Sequence, residues 1–152
     1  MYQEVLVAID GSECANCALR ESLAIVKLTN GKLHIVYLVD EPAVLAAAGY
    51  YDPTALREAM IAQANSVLDA ARGAAEKEGV RADSEVLYTI ELGRDIADCI
   101  NAAAARRDAD LTVLGTHGRR GAGRLVLGSV AERVLRASHT PVLMVRAIDS
   151  DS

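Results

Sequence analysis

No tryptophan and no phenylalanine occur among the 152 residues. Half of the chain is nonetheless hydrophobic (51%), so its core must be aliphatic, built from Val, Leu, Ile and Ala. There is no basic arm and no aromatic platform interleaved with cations, which argues against binding of single-stranded nucleic acid. A formal net charge of -5 likewise opposes a sequence-independent grip on nucleic-acid phosphates. No apolar run approaches the ~20 residues of a membrane span, and the opening MYQEVLVAID has no basic region followed by an apolar stretch of signal length. Cysteine is scarce: Cys14, Cys17 and Cys99 are an odd, small set, unlike a secreted disulfide framework. The simplest expectation is a cytoplasmic protein without membrane insertion.

What is present is an alternation of short apolar runs with longer amphipathic ones. Residues 5–9 are nearly continuously apolar, as in a strand buried on both faces. Ser12 offers a cap for a helix reaching about Leu28, with Ala15, Leu19, Leu23 and Val26 along one side. Asn30-Gly31 interrupts the chain before a second strand at 32–39. Residues 40–53 give no assignable pattern, although Asp52 and Pro53 suit a helix start. The helix they open carries a stripe through Leu56, Met60, Ala64, Leu68 and Ala71, and Gly79 can end it. A third strand at 81–89 has Arg81, Asp83 and Glu85 at alternate positions, which suits a sheet edge. A helix at 93–107, a strand at 111–114, a helix at 129–137 and a strand at 141–145 complete the pattern. Strands alternating with helices specify an α/β fold, a single domain over residues 1–148 with a short tail at 149–152. Ligands of such sheets sit at the carboxyl ends of strands, where the winding direction reverses. The loops after the first and fourth strands are the chemically suspicious ones.

The second of these loops begins a segment rich in glycine and arginine, residues 115–129. Gly115 and Gly118 follow the fourth strand, and Gly128-Ser129 opens the next helix. Glycine allows close backbone approach, and a helix start offers unpaired N–H groups to an anion. Arg119, Arg120 and Arg124 lie between, with no acidic residue from Thr116 to Leu127. Amide donors and guanidinium groups together suit a phosphate-bearing ligand. A ligand-free alternative stands beside this: Ser129 and Glu132 form the S-x-x-E pattern of a capping box, and the arginines can be a solvated face. Two familiar cradles are excluded. The spacing from Gly118 to Gly123 matches a Walker A loop, but Arg124-Leu125 replaces its Lys-Ser/Thr. The dinucleotide fingerprint belongs after the first strand, where Asp10-Gly11-Ser12-Glu13 has one glycine.

Gly115-x-x-Gly118, nine residues, then Gly128-Ser129 resembles the nucleotide-binding signature of the universal stress protein family. The similarity extends through VLVAIDGSE, ADLTVLGTHG, LGSVAERVL and SHTPVLMVR, in that order along the chain. The intact glycine spacing resembles the ATP-binding members. The resemblance implies a five-stranded doubly wound parallel sheet of order 3-2-1-4-5, whose switch point lies between the first and fourth strands. It implies that Asp10 approaches the ribose and that the backbone near Val39 meets the adenine. Gly115, Gly118, Gly128 and Ser129 then surround the phosphates, with the Val130 amide added and Arg119 among the nearby cations. His117 lies near the phosphates at a position that varies within the family. ATP with a divalent ion, magnesium, is the implied ligand, and a nucleotide-dependent regulator of the stress response with a protein partner is the implied function.

Other residues carry rival readings. Cys14-Ala-Asn-Cys17 at a helix start after a strand is where a thioredoxin-like redox pair sits, though the chain has an extra βα complement; two small packed residues is the alternative. Cys99 and the three scattered histidines form no paired zinc spacing. His34, inside an apolar strand, and His139, before Pro141, read as structural. Tyr50 and Tyr51 can cover a ligand or merely decorate a loop. No general base is recognisable, so binding rather than efficient turnover is expected; slow hydrolysis or autophosphorylation at Ser129 stays open. The last strand would leave an apolar sheet edge bare, which predicts a homodimer paired through Val142–Val145.

Overall fold

The computed structural model of the chain describes residues 1–39, 52–89, 95–117 and 127–147. The described elements are β1 (Glu4–Ile9), α1 (Glu13–Thr29), β2 (Lys32–Val39), α2 (Pro53–Lys77), β3 (Arg81–Tyr88), α3 (Ile96–Arg106), β4 (Leu111–Gly115), α4 (Ser129–Ala137) and β5 (Val142–Val145). All five strands are parallel, in the order β3-β2-β1-β4-β5. This is the α/β architecture that the sequence pattern predicts, with the strand order that the resemblance implies.

Burial follows from the apolar runs. Val5, Leu6 and Val7 in β1 are fully buried because helices cover both faces of the sheet. Val5, Val7, Leu33, Ile35 and Val113 pack under α1 and α2. Leu6, Val36, Leu87 and Leu114 pack under α3 and α4. Burying one such side chain contributes about 1.5–3 kcal/mol. The core is not wholly aliphatic: Tyr37 lies within the α1/α2 layer at 7% exposure.

Local chemistry sets most helix ends. The Ser12 hydroxyl accepts from the Ala15 amide at 3.2 Å and caps α1. Asp52 accepts from the Thr54 amide at 3.0 Å and starts α2. Asp95 caps α3 by accepting from the Asp98 amide at 2.9 Å, so that helix starts at Ile96 rather than at residue 93. Residues 90–94 lie outside the described part.

The polar side of β3 does more than face water. His34, 4% exposed, lies between Glu4 Oε2 at 2.6 Å and Asp83 Oδ1 at 2.8 Å, across three adjacent strands. Asp83 also meets Lys32 at 2.7 Å and Arg107 at 3.1 Å. Burial alone would raise the Asp83 carboxyl. Hydrogen bonds from Lys32 and His34, with the charges of His34 and Arg107, outweigh it and hold the group below its ordinary range. His34 is thus structural, as expected, but as a hydrogen-bonded bridge between two carboxylates. No helix among the described residues is long and apolar enough to cross a membrane.

Candidate functional site

In the order β3-β2-β1-β4-β5 the chain winds outward in opposite directions from β1 and from β4, so the switch point falls between these two. Register aligns their carboxyl ends. Val7 pairs with Val113, and each strand runs on two residues, to Ile9 and to Gly115. Asp10 and Thr116 follow at the mouth. On the other side, β1 stops pairing with β2 at Ile9–Tyr37, and β2 continues to Val39. Leu38 and Val39 therefore overhang β1 as a ledge.

Each element positions its residue for a local reason. Asp10 Oδ1 accepts from the Ser12 amide at 2.9 Å, an Asx turn that redirects the chain from β1 into α1. Gly115 is the last residue of β4, level with Val145 of β5, rather than part of the turn. A β-carbon there would lie 2.8 Å from Cys14 Cβ and 2.9 Å from the Cys14 carbonyl carbon. Glycine is required because the first turn of α1 leans on the strand end. A β-carbon on Gly128 would lie 2.9 Å from the Thr116 carbonyl oxygen, which accepts the Gly128 amide at 2.8 Å. That bond anchors the start of α4 beside the end of β4.

The start of α4 is open. Gly128 is its N-cap, and no side chain among the described residues caps the helix. The first backbone bond within it runs from the Glu132 amide to the Gly128 carbonyl at 3.0 Å. The amides of Ser129, Val130 and Ala131 are left without an intrahelical acceptor. The capping box suggested by Ser129 and Glu132 does not form; Glu132 accepts from Arg136 at 2.7 Å instead. Ser129 is exposed and Val130 half-buried. His117 Nδ1 is hydrogen-bonded with the Thr116 hydroxyl at 3.0 Å, and its buried Nε2 has no partner.

Asp10, Gly115, Gly128, Ser129 and Val130 thus gather around the carboxyl ends of β1 and β4. Val39 lies on the ledge, buried, with its carbonyl accepting from the Thr89 hydroxyl at 3.4 Å. Gly118, Arg119, Arg120 and Arg124 lie outside the described residues, as do Tyr50 and Tyr51. His139 is exposed. Two participants carry no local signal in the sequence: the Thr116 carbonyl, which fixes α4, and Cys14, which packs on Gly115. Among the described residues no cluster of three or more His, Cys, Asp or Glu can hold a metal ion.

Known proteins share this architecture. The model of the universal stress protein family matches residues 1–146. A universal stress protein of Methanocaldococcus jannaschii is 32% identical over 148 residues, covering 96% of this chain and 83% of that one. A crystal structure of a universal stress protein family member from Burkholderia pseudomallei superposes with a TM-score of 0.75 at 32% identity, over 95% of this chain and 96% of the other. A universal stress protein crystallised in complex with cAMP matches with a TM-score of 0.67 at 26% identity, over 97% and 98% of the two chains. The chain belongs to the universal stress protein family.

Proposed function

We propose that this protein is a cytoplasmic ATP-binding regulator of a stress response, a single nucleotide-binding domain over residues 1–148. The observation that carries the reading is the uncapped start of α4, fixed by the Gly128–Thr116 bond at the switch point of the sheet. Three amides directed at one place, at the positive end of a helix dipole, suit a phosphate group. The cAMP complex of a relative supports an adenine nucleotide as the ligand class. In this reading Gly115, Gly118, Gly128, Ser129 and the Val130 amide receive the phosphates, with Arg119 nearby. Asp10 meets the ribose, the Val39 ledge meets the base, and magnesium travels with the triphosphate. Nucleotide occupancy then sets the conformation that a protein partner recognises, through binding rather than turnover. Calorimetry with ATP and magnesium tests it. Saturable binding that Gly118→Val and Gly128→Val each weaken strongly is expected, and unchanged affinity in both would remove the site.

The reading includes a homodimer. β5 is the outer strand beside β4, and all four of its residues are only half-buried. Such an apolar edge is a template for a second chain. Light scattering at micromolar concentration should give twice the chain mass, and Leu143→Pro should give a monomer. A wild-type monomer throughout that range counts against it.

A further inference from the structure

Cys14 and Cys17 are free, half-buried thiols at the start of α1, and the nucleotide reading uses neither. Three observations distinguish them from the buried Cys99. Their i,i+3 spacing puts both on one side of the helix, with β-carbons about 5–6 Å apart. The Arg20 guanidinium donates to Cys17 Sγ at 2.9 Å, the kind of cationic surrounding in which thiols react. Cys14 also packs directly on the strand end, since a β-carbon on Gly115 would lie 2.8 Å from Cys14 Cβ.

We propose that Cys14 and Cys17 form a reversible dithiol–disulfide pair whose oxidised form weakens nucleotide binding at the adjoining strand ends; the second half of this rests on the nucleotide reading above. The oxidant is a low-molecular-weight disulfide. One protein thiolate attacks one of its sulfurs, breaking that S–S bond and releasing one small thiolate. The second protein thiolate then attacks the mixed disulfide and releases the other. Two protein thiols and one small disulfide become one protein disulfide and two small thiols, the protons of the protein thiols ending on the leaving sulfurs.

A disulfide holds its β-carbons about 3.5–4.5 Å apart, so closure draws these two together by about 1–2 Å. Ala18 and Leu19, directly after Cys17, are buried in the core and resist movement. The displacement falls on the first turn, where Cys14 lies and where the helix is tied by the Ser12–Ala15 bond of 3.2 Å. That turn cannot shift without shifting against Gly115, because the atoms in contact include backbone. The end of β4 and, through the bond from the Gly128 amide to the Thr116 carbonyl, the start of α4 therefore sense the redox state.

Glutathione buffers of stepped reduced-to-oxidised ratio, followed by alkylation and peptide mass mapping, test the pair. A Cys14–Cys17 link within one chain is expected, with Cys99 alkylated only after denaturation. ATP affinity of the oxidised form should be about tenfold weaker. Coupling is reciprocal, so saturating ATP should raise the reduction potential of the pair by about 30 mV, the same factor converted for two electrons. Cys17→Ser should retain the affinity of the reduced protein and lose its dependence on the buffer. Thiols that stay free, or that link only between chains, overturn the pair. A pair that forms while affinity and potential stay constant overturns the coupling. A reduced protein that binds no ATP overturns the nucleotide reading and the coupling with it, while the disulfide map still decides the pair.

Discussion

At the amino ends of the strands, polar groups close on one another. His34 sits between Glu4 and Asp83, Asp83 meets Lys32 and Arg107, and Asp110 accepts the amides of Gln3 and Glu4 at 3.0 and 3.2 Å. At the carboxyl ends the reverse holds. Among the described residues, none caps the first turn of α4 and none partners the buried His117 Nε2, and β2 overhangs β1. A buried polar group without a partner costs about 1–3 kcal/mol, a loss that a ligand reaching His117 Nε2 would recover. One end of the sheet is finished by the chain itself; in the proposed reading the other is completed by the nucleotide. Substitutions should therefore separate stability from binding according to the end they touch.

The largest effect is expected at the open end. Gly128→Val places side-chain atoms on the Thr116 carbonyl, 2.9 Å from the first of them, and displaces the start of α4. ATP affinity should fall about 100-fold, roughly 2.7 kcal/mol. Circular dichroism should still show the folded sheet. An unfolded variant would erase the contrast between the two ends.

At the closed end, His34→Ala removes the hydrogen-bond partner that Glu4 and Asp83 share. Hydrogen bonds to charged groups contribute about 1.5–3 kcal/mol, and both carboxylates retain some access to water, so a loss of about 2 kcal/mol is expected in denaturant unfolding. ATP affinity should stay within about twofold of wild type. A variant that keeps its stability and loses ATP would reverse the assignment of the two ends.

The same network sets an acid limit. Burial works to raise the Asp83 carboxyl, yet Lys32, His34 and Arg107 hold it below its ordinary value in the folded chain. A depressed folded value contributes stability that is present above the unfolded value, near pH 3.9, and is lost as pH falls through the folded one. Asp83→Asn should be less stable than wild type at neutral pH, and the two curves should converge below about pH 4. Parallel curves there would mean that Asp83 is not the group at work.

What the sequence foretold and what it hid divide along the same line. Val5–Val7, the Ser12 cap and the Asp52–Pro53 start are decided within a few residues, so composition and spacing were enough to place them. The start of α3 was misplaced because the apolar stripe through Ile96 and Ile100 does not say which preceding residue caps it; Asp95 does. Contacts set by strand order were out of reach of local pattern. Glu4, His34 and Asp83 lie on three different strands, and Cys14 of α1 meets Gly115 at the end of β4. At the candidate site, Asp10 was legible because an aspartate after a strand end has its own turn chemistry. The Thr116 carbonyl that fixes α4 was not, since backbone atoms leave no residue signature.

Ser129 is the point at which local pattern and structure disagree, and two helix starts in the same chain settle how to test it. Ser12 and Ser129 both stand at the head of a helix. Ser12 Oγ accepts from the Ala15 amide, whereas Ser129 is the first helical residue after Gly128 and caps nothing. Replacing a serine cap by alanine costs typically about 1 kcal/mol. Ser12→Ala should therefore lower unfolding stability by about 1 kcal/mol, and Ser129→Ala by less than about 0.5 kcal/mol, the range of an exposed substitution. In the presence of saturating ATP the difference should narrow, because Ser129→Ala then loses a ligand contact and with it part of the ligand's contribution to stability. Equal losses without ATP would mean that Ser129 caps α4 in solution. The amides would then already be satisfied, and the start of α4 would have nothing to offer a phosphate.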